Sequence, residues 1–124
     1  MGTASDLLRA IQRIEVLLNQ SWDLADDFQN QRKEAIALRR LISDQTAAIG
    51  KLGESVFEGS DKQNAFRRNF SAARSAMAFH HASWPIVSID LADPAYRASS
   101  RSMRQAYEEF IAWVKRAANS EMNT

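Results

Sequence analysis

The sequence predicts an all-α fold, a bundle of three or four antiparallel helices in a single domain covering residues 1–124. Apolar residues recur at intervals of three and four through most of the chain, which is the period of a helix that buries one face. Helix start and stop signals divide the chain, and its two prolines, Pro85 and Pro94, lie at the two ends of the connection before the last predicted helix. A content of 45% hydrophobic and 25% charged residues is typical of a globular domain with its own core.

The first half of the chain allows two interpretations. A polar run at residues 29–34 separates two apolar stripes that lie on different helix faces. Either residues 5–28 and 31–53 form a helical hairpin, or one helix spans both stripes and pairs as a coiled coil. We favour the hairpin, because a coiled-coil seam would contain Ser21, Arg32, Arg39 and Thr46. The two stripes are formed by Leu7, Ile11, Ile14, Leu18, Ala25 and Phe28, and by Ala35, Leu38, Leu41, Ile42, Ile49 and Leu52.

The third predicted helix, residues 61–83, has two apolar strips. Because two strips need two sets of neighbours, we expect this helix at the packing centre of the bundle. Capping boxes are expected at Thr3–Asp6, for the first helix, and at Ser60–Gln63, while Trp84–Pro85 ends the third helix. The strips are formed by Phe66, Phe70, Ala73, Met77, His80 and Trp84, and by Ala65, Ala72, Ala76 and Phe79.

The last predicted helix covers residues 94–118. Asp93 is a favoured N-cap and Pro94 a favoured first helical residue. Residues 86–91 alternate apolar and polar side chains, and we interpret them as an extended loop, since a lone strand would have no partner. Val56 and Phe57, ahead of the third helix, are expected to fold back onto the core. The buried stripe of the last helix is formed by Tyr96, Met103, Tyr107, Phe110, Val114 and Ala117.

The amino-acid composition predicts the cellular location and excludes several kinds of chemical site. With no cysteine, the chain has no disulfide, zinc-thiolate site or thiol nucleophile, and we expect a cytoplasmic protein. No apolar run reaches the roughly 18 residues that cross a bilayer, so no membrane is expected. A net charge of +1 does not call for nucleic acid. We expect no cofactor and no metal, because the adjacent His80 and His81 point about 100° apart on a helix.

Arg74, followed by His80 and His81, is the first candidate for chemistry. The spacing resembles the R-x(4–6)-H motif of the HEPN superfamily, small all-helical domains that include metal-independent ribonucleases. The resemblance implies that Arg74 binds phosphate and that His80 or His81 transfers a proton, at a dimer interface. The structural interpretation is that His80 continues the buried stripe and Arg74 extends beside it. His80 to Pro85 is also similar to the His-x4-Pro phosphoacceptor box of sensor kinases, which would imply phosphotransfer.

An arginine face is the second candidate. Arg97, Arg101 and Arg104 lie on one side of the last predicted helix, and Arg67, Arg68 and Arg74 could join them from the third helix. Such a surface would bind nucleic acid, phosphate or an acidic partner. The alternative is a solvated face on which Arg104 pairs with Glu108 at the helical i,i+4 spacing.

Taken together, these observations favour a non-enzymatic helical interaction module, an adaptor, regulator or assembly subunit that offers a helical face. Trp22, at the edge of the first stripe, suggests apolar surface left for a protein partner or a second copy, and we expect a homodimer. A HEPN-like ribonuclease that uses Arg74 with His80 or His81, and a nucleic-acid or phosphate binder, are the alternatives.

Overall fold

The computed structural model describes residues 3–24, 31–86, 89 and 92–123. Within these ranges the chain forms four helices and no strand, so the all-α bundle is confirmed. Each helix runs antiparallel to the next, and the bundle closes through contacts between the first and last helices. The helices are α1 (Ala4–Leu24), α2 (Arg32–Val56), α3 (Gln63–Ser83) and α4 (Pro94–Met122).

The first half of the chain is a helical hairpin. The Gln45 side-chain amide on α2 donates a hydrogen bond of 3.1 Å to the Ala10 carbonyl on α1. In one continuous helix these residues would be about 50 Å apart at 1.5 Å per residue, so the single long helix is excluded. The turn predicted inside residues 29–33, and the stripe positions Ala25 and Phe28, fall wholly or partly outside the described residues.

α1 and α4 begin at the caps that the sequence predicted. The Thr3 hydroxyl accepts from the Asp6 amide at 3.1 Å, and an Asp6 carboxylate oxygen accepts from the Thr3 amide at 3.0 Å. Asp93 caps α4 by accepting from the Ala95 amide at 2.9 Å, with Pro94 in the first turn. Each side-chain bond satisfies a backbone donor that the first helical turn leaves without a partner.

One apolar core joins all four helices and the connection between α2 and α3. Phe57 in that connection is fully buried, as predicted, and packs against Phe66 with ring centroids 5.6 Å apart. Every member of the predicted α4 stripe is buried. In the predicted α2 stripe, Ala35, Ile42 and Ile49 are buried, whereas Leu41 is 43% exposed.

α3 differs from the sequence prediction at its start and on its outer side. The helix begins at Gln63, and the Ser60 hydroxyl accepts from the Lys62 amide, so the predicted capping box is wrong. Of the second apolar strip, Ala72 is exposed and Phe79 is 71% exposed. Ala65 and Ala76 of the same strip are partly buried, so α3 packs against its neighbours mainly, though not solely, through the first strip.

α2 and α3 approach closely only at one end. A Cβ atom on Gly53 would lie 1.9 Å from the Phe66 Cζ atom, and one on Gly50 would lie 2.7 Å from the Phe70 Cζ atom. The absence of both side chains lets the two stacked phenyl rings reach the α2 backbone. Beyond Gly50, in the direction of Thr46, the groove between α2 and α3 opens into a cavity.

Candidate functional site

The cavity between α2 and α3 is the place where chemistry-bearing side chains gather. Its volume is about 370 Å³, within the range of small-molecule sites. α2 contributes two hydroxyl side chains, α3 contributes a guanidinium and an imidazole, and α4 contributes a phenol from below. The lining residues are Ser43, Thr46, Ala47, Arg74, Met77, Ala78, His81 and Tyr107.

The floor of the cavity is a pair of buried hydroxyl groups. The Thr46 hydroxyl donates to the Ile42 carbonyl at 2.7 Å and lies 3.1 Å from the Tyr107 hydroxyl. Because Thr46 has only one hydroxyl proton, the Tyr107 proton is directed to the Thr46 oxygen or to the Met77 sulfur, 3.4 Å away. Burial raises the pKa of Tyr107, so the phenol stays protonated at neutral pH.

Arg74 and His81 both line this cavity. They are seven residues apart, two helical turns, so their side chains point to the same side from positions about 10 Å apart along the axis. Burial, then the Arg39 guanidinium and His80, lower the pKa of His81 to about 4. The imidazole is therefore neutral at pH 7, with one N–H to donate and one nitrogen lone pair to accept.

His80 faces away from the cavity and into the bundle. It is only 4% exposed, its Nδ1 atom lies 2.7 Å from the Ser99 hydroxyl on α4, and its ring packs against Tyr96. Burial and the Arg39 guanidinium lower its pKa to about 4. The structure therefore brings Arg74 together with His81 and not with His80, as their helical positions require.

The arginines proposed as one face lie on opposite sides of the bundle. Arg67 makes two bonds to the Glu54 carboxylate, of 2.8 and 2.9 Å, beside the α2–α3 groove. Arg104 pairs with Glu108 at 3.1 Å and covers the Trp22 ring at 4.0 Å, in the α1–α4 groove. Arg97 and Arg101 are exposed on α4, on the face that carries Arg104. The four residues do not form one continuous surface.

Trp22 is partly buried and lines a cavity between α1 and α4. Its ring packs against the core, and the Arg104 guanidinium lies on it. Its Nε1 atom is buried without a hydrogen-bond partner in the described part of the chain.

Arg39 is a functional candidate that the sequence analysis did not select. Its side chain is partly buried on α2, and burial lowers the pKa of its guanidinium. No carboxylate pairs with it in the described ranges, and its charge acts on both histidines. The signal was present in the sequence, since Arg39, like Arg32 and Thr46 of α2, is a polar residue at a position that a coiled-coil seam would fill with an apolar one.

A second feature is an apolar groove between α1 and α2. Its floor is formed by Leu24, Ala37, Leu38 and Leu41, and its rim by Gln20, Asp23 and Glu34. Val16, one turn before Gln20 on the same helix face, is 56% exposed and extends the apolar surface. We call these eight residues the α1–α2 groove.

Comparison with protein-family models, with curated proteins and with solved structures gave no match for this chain. None of the helices in the described ranges is both long and apolar enough to cross a membrane. In the same ranges, no three histidine or acidic side chains gather where they could hold a metal ion.

Proposed function

We propose that the protein is a non-enzymatic helical interaction module that binds an amphipathic helix of a protein partner in the α1–α2 groove. The observation that carries the proposal is the exposure of large apolar side chains on this groove, with Val16 56% and Leu41 43% exposed. An apolar groove between two helices suits a partner helix that presents residues at positions i, i+3, i+4 and i+7.

The charge of the rim defines the partner further. Asp23 and Glu34 lie on the two sides of the apolar floor. A partner helix with lysine or arginine beside its apolar stripe would be attracted to this rim, and one with acidic flanks would be repelled. A second copy that brought its own groove would place like charges together, so we favour a different protein over the homodimer predicted from the sequence. The expected location is the cytoplasm, which the lack of cysteine favours.

The HEPN-like ribonuclease is supported less well than the interaction module. Arg74 and His81 line one cavity of the chain, whereas that hypothesis expects the two side chains to meet across a dimer interface. A pKa of about 4 leaves His81 almost wholly neutral at pH 7, so it has little proton to give a leaving group. Its test is RNA cleavage by the purified protein and by the His81→Ala variant.

Leu41→Asp tests the proposed function, with Ile36→Asp as its matched control. Ile36 is on the same helix and is 45% exposed, but it is outside the groove. The probe is a fluorescent amphipathic peptide of leucine and lysine, followed by anisotropy. We expect Leu41→Asp to weaken binding by at least about tenfold, because losing an apolar contact costs ~1.5 kcal/mol of binding free energy. Ile36→Asp should bind the peptide as tightly as the parent protein does.

Two further measurements separate the alternatives. A peptide with glutamate in place of lysine should bind more weakly than the lysine peptide, because of the acidic rim. Sedimentation of the parent and of Leu41→Asp tests the homodimer, since a dimer formed through the groove would dissociate in the variant. Equal binding by Leu41→Asp and Ile36→Asp would refute the groove as the binding surface.

A further inference from the structure

The cavity between α2 and α3 combines positive charge, hydroxyl groups and apolar walls in a way that packing does not require. Arg74 lines it, and no carboxylate pairs with Arg74 within the described ranges; the Phe70 ring centroid is 5.8 Å from the guanidinium carbon. By contrast, Arg67, which lies two turns earlier on the same helix, donates two hydrogen bonds to the Glu54 carboxylate. A guanidinium at the cavity thus keeps its whole set of donors available.

A second cation lies at the histidine end of the same groove. The partly buried Arg39 has no acidic partner among the described residues, and it acts electrostatically on His81, which lines the cavity. Within the described ranges no carboxylate neutralises either guanidinium group, so together they raise the electrostatic potential around the cavity. Arg74 is exposed, whereas holding the partly buried Arg39 without a counter-charge costs free energy.

We propose that the α2–α3 cavity binds a small organic anion, a carboxylate or a phosphate ester with an apolar body. Arg74 binds the charged group, because a guanidinium offers paired N–H donors to a carboxylate or phosphate. The apolar body lies on Met77, Ala47 and Ala78, and the volume of about 370 Å³ accommodates a small aromatic ring with its head group. The site is separate from the α1–α2 groove and does not depend on the function proposed there.

The floor adds a preference for a hydrogen-bond donor on the ligand. The Tyr107 proton is already directed to Thr46 or Met77, so its oxygen lone pair is what it can offer to a bound molecule. Neutral His81 offers one donor and one acceptor at the other end. A hydroxyl group on the apolar body would therefore strengthen binding.

Titration of amide chemical shifts in the ¹⁵N-labelled full chain tests the proposal. The probes are benzoate and phenyl phosphate, which distinguish the two head groups, and benzamide, which has nearly the shape of benzoate without its charge. We expect saturable shifts at the amides of Ala47 and Ala78 with at least one of the two anions. Benzamide should bind at least about tenfold more weakly, because a charge-assisted bond is replaced by a neutral one.

Three variants locate the bound anion. Arg74→Gln should weaken binding at least about tenfold, whereas Arg68→Gln, the same change on an exposed residue of α3 outside the cavity lining, should leave it unchanged. Ala78→Leu fills the cavity from an exposed position, so it should block binding while the helix stays folded. Thermal unfolding of each variant verifies folding.

The proposal would be overturned by any of three results. The first is no saturable shift from either anion up to about 10 mM, a concentration above the dissociation constant expected of even a weak small-molecule site. The second is equal affinity for benzoate and benzamide. The third is an equal loss in Arg74→Gln and Arg68→Gln, which would show attraction to net charge without a site.

Discussion

The close approach of α2 and α3 makes Gly53→Ala the most informative single change in the core. The new Cβ atom would lie 1.9 Å from the Phe66 Cζ atom and within 2.5 Å of both Cε atoms. Ordinary van der Waals contact begins at 3.4 Å, so the ring has to move by more than 1 Å. Rotating the ring about its own axis does not help, because its tip points at the α2 backbone.

Phe66 has little room for that movement. It is 1% exposed, and its ring packs against those of Phe57, Phe70 and Phe110 with centroids 5.6 to 6.0 Å apart. Overpacking a close-packed core costs about 1–3 kcal/mol, and a clash with a ring held on three sides belongs at the upper end. Alanine is the better helix former by ~1 kcal/mol, which offsets part of the cost. We therefore expect Gly53→Ala to lower the free energy of unfolding by about 2 kcal/mol.

Urea and thermal unfolding followed by circular dichroism measure this change, with the melting temperature expected to fall by about 6–8 °C. Ala48→Gly, at an exposed position of α2, measures the helix-propensity contribution alone. Gly50→Ala is the graded control, because Phe70 is only partly buried and can move away. If Gly53→Ala were neutral or stabilising, α2 and α3 would not meet through the Phe66 ring, and the position of the cavity would be wrong as well.

Three further outcomes follow from buried polar groups and caps. The pKa of His80 and of His81 is about 4 in the folded chain and 6.5 in the unfolded chain, so as the pH falls the unfolded chain is protonated first. Urea unfolding should therefore give a free energy of unfolding that is constant above pH 7 and decreases from pH 6.5 toward pH 4, by less than ~1.4 kcal/mol per pH unit for each partly shielded imidazole. The decrease should be less steep in a His80→Gln variant. Thr46→Val should lower the unfolding free energy by about 1–2 kcal/mol by leaving Tyr107 short of a partner, whereas Thr46→Ser should lower it less. Asp93→Ala should remove about 1 kcal/mol of cap stabilisation, which Asp93→Asn largely retains; an unchanged melting temperature in Asp93→Ala would contradict the cap.

The helices were predictable from the sequence where the signal was local. The start of α4 at Asp93 and Pro94, and its buried stripe, depend only on neighbours within a few residues, and both predictions are confirmed. The capping box predicted at Ser60 was wrong although its signal is also local. The spacing of Ser60 and Gln63 fits a capping box, but the chain makes a short turn at Lys62 instead. Capping boxes specify spacing, and the tertiary path decides whether the helix starts there.

The features that the sequence did not predict depend on which helices pack against each other. Periodicity places Phe79 on an apolar strip, but only the arrangement of the other helices determines that its side chain is 71% exposed. Similarly, Arg67 and Arg104 could both be assigned to helix surfaces, yet their separation follows from which grooves those surfaces border. That Arg74 and His81 line the same cavity was accessible in principle, since a seven-residue spacing fixes a common helix face.

The polar residues of α2 connect the fold to the cavity. In a coiled coil Arg39 and Thr46 would be defects in the seam, and in the hairpin the same seven-residue spacing directs both toward the groove beside α3. Gly50 and Gly53 continue that side of α2 at the other end, where they admit the Phe66 and Phe70 rings. One face of α2 is thus closed by phenyl rings at one end and open at the other, where its polar side chains lie. A variant that fills the open end, such as Ala78→Leu, should therefore remove the cavity without the core strain of Gly53→Ala, which separates the two roles of the groove experimentally.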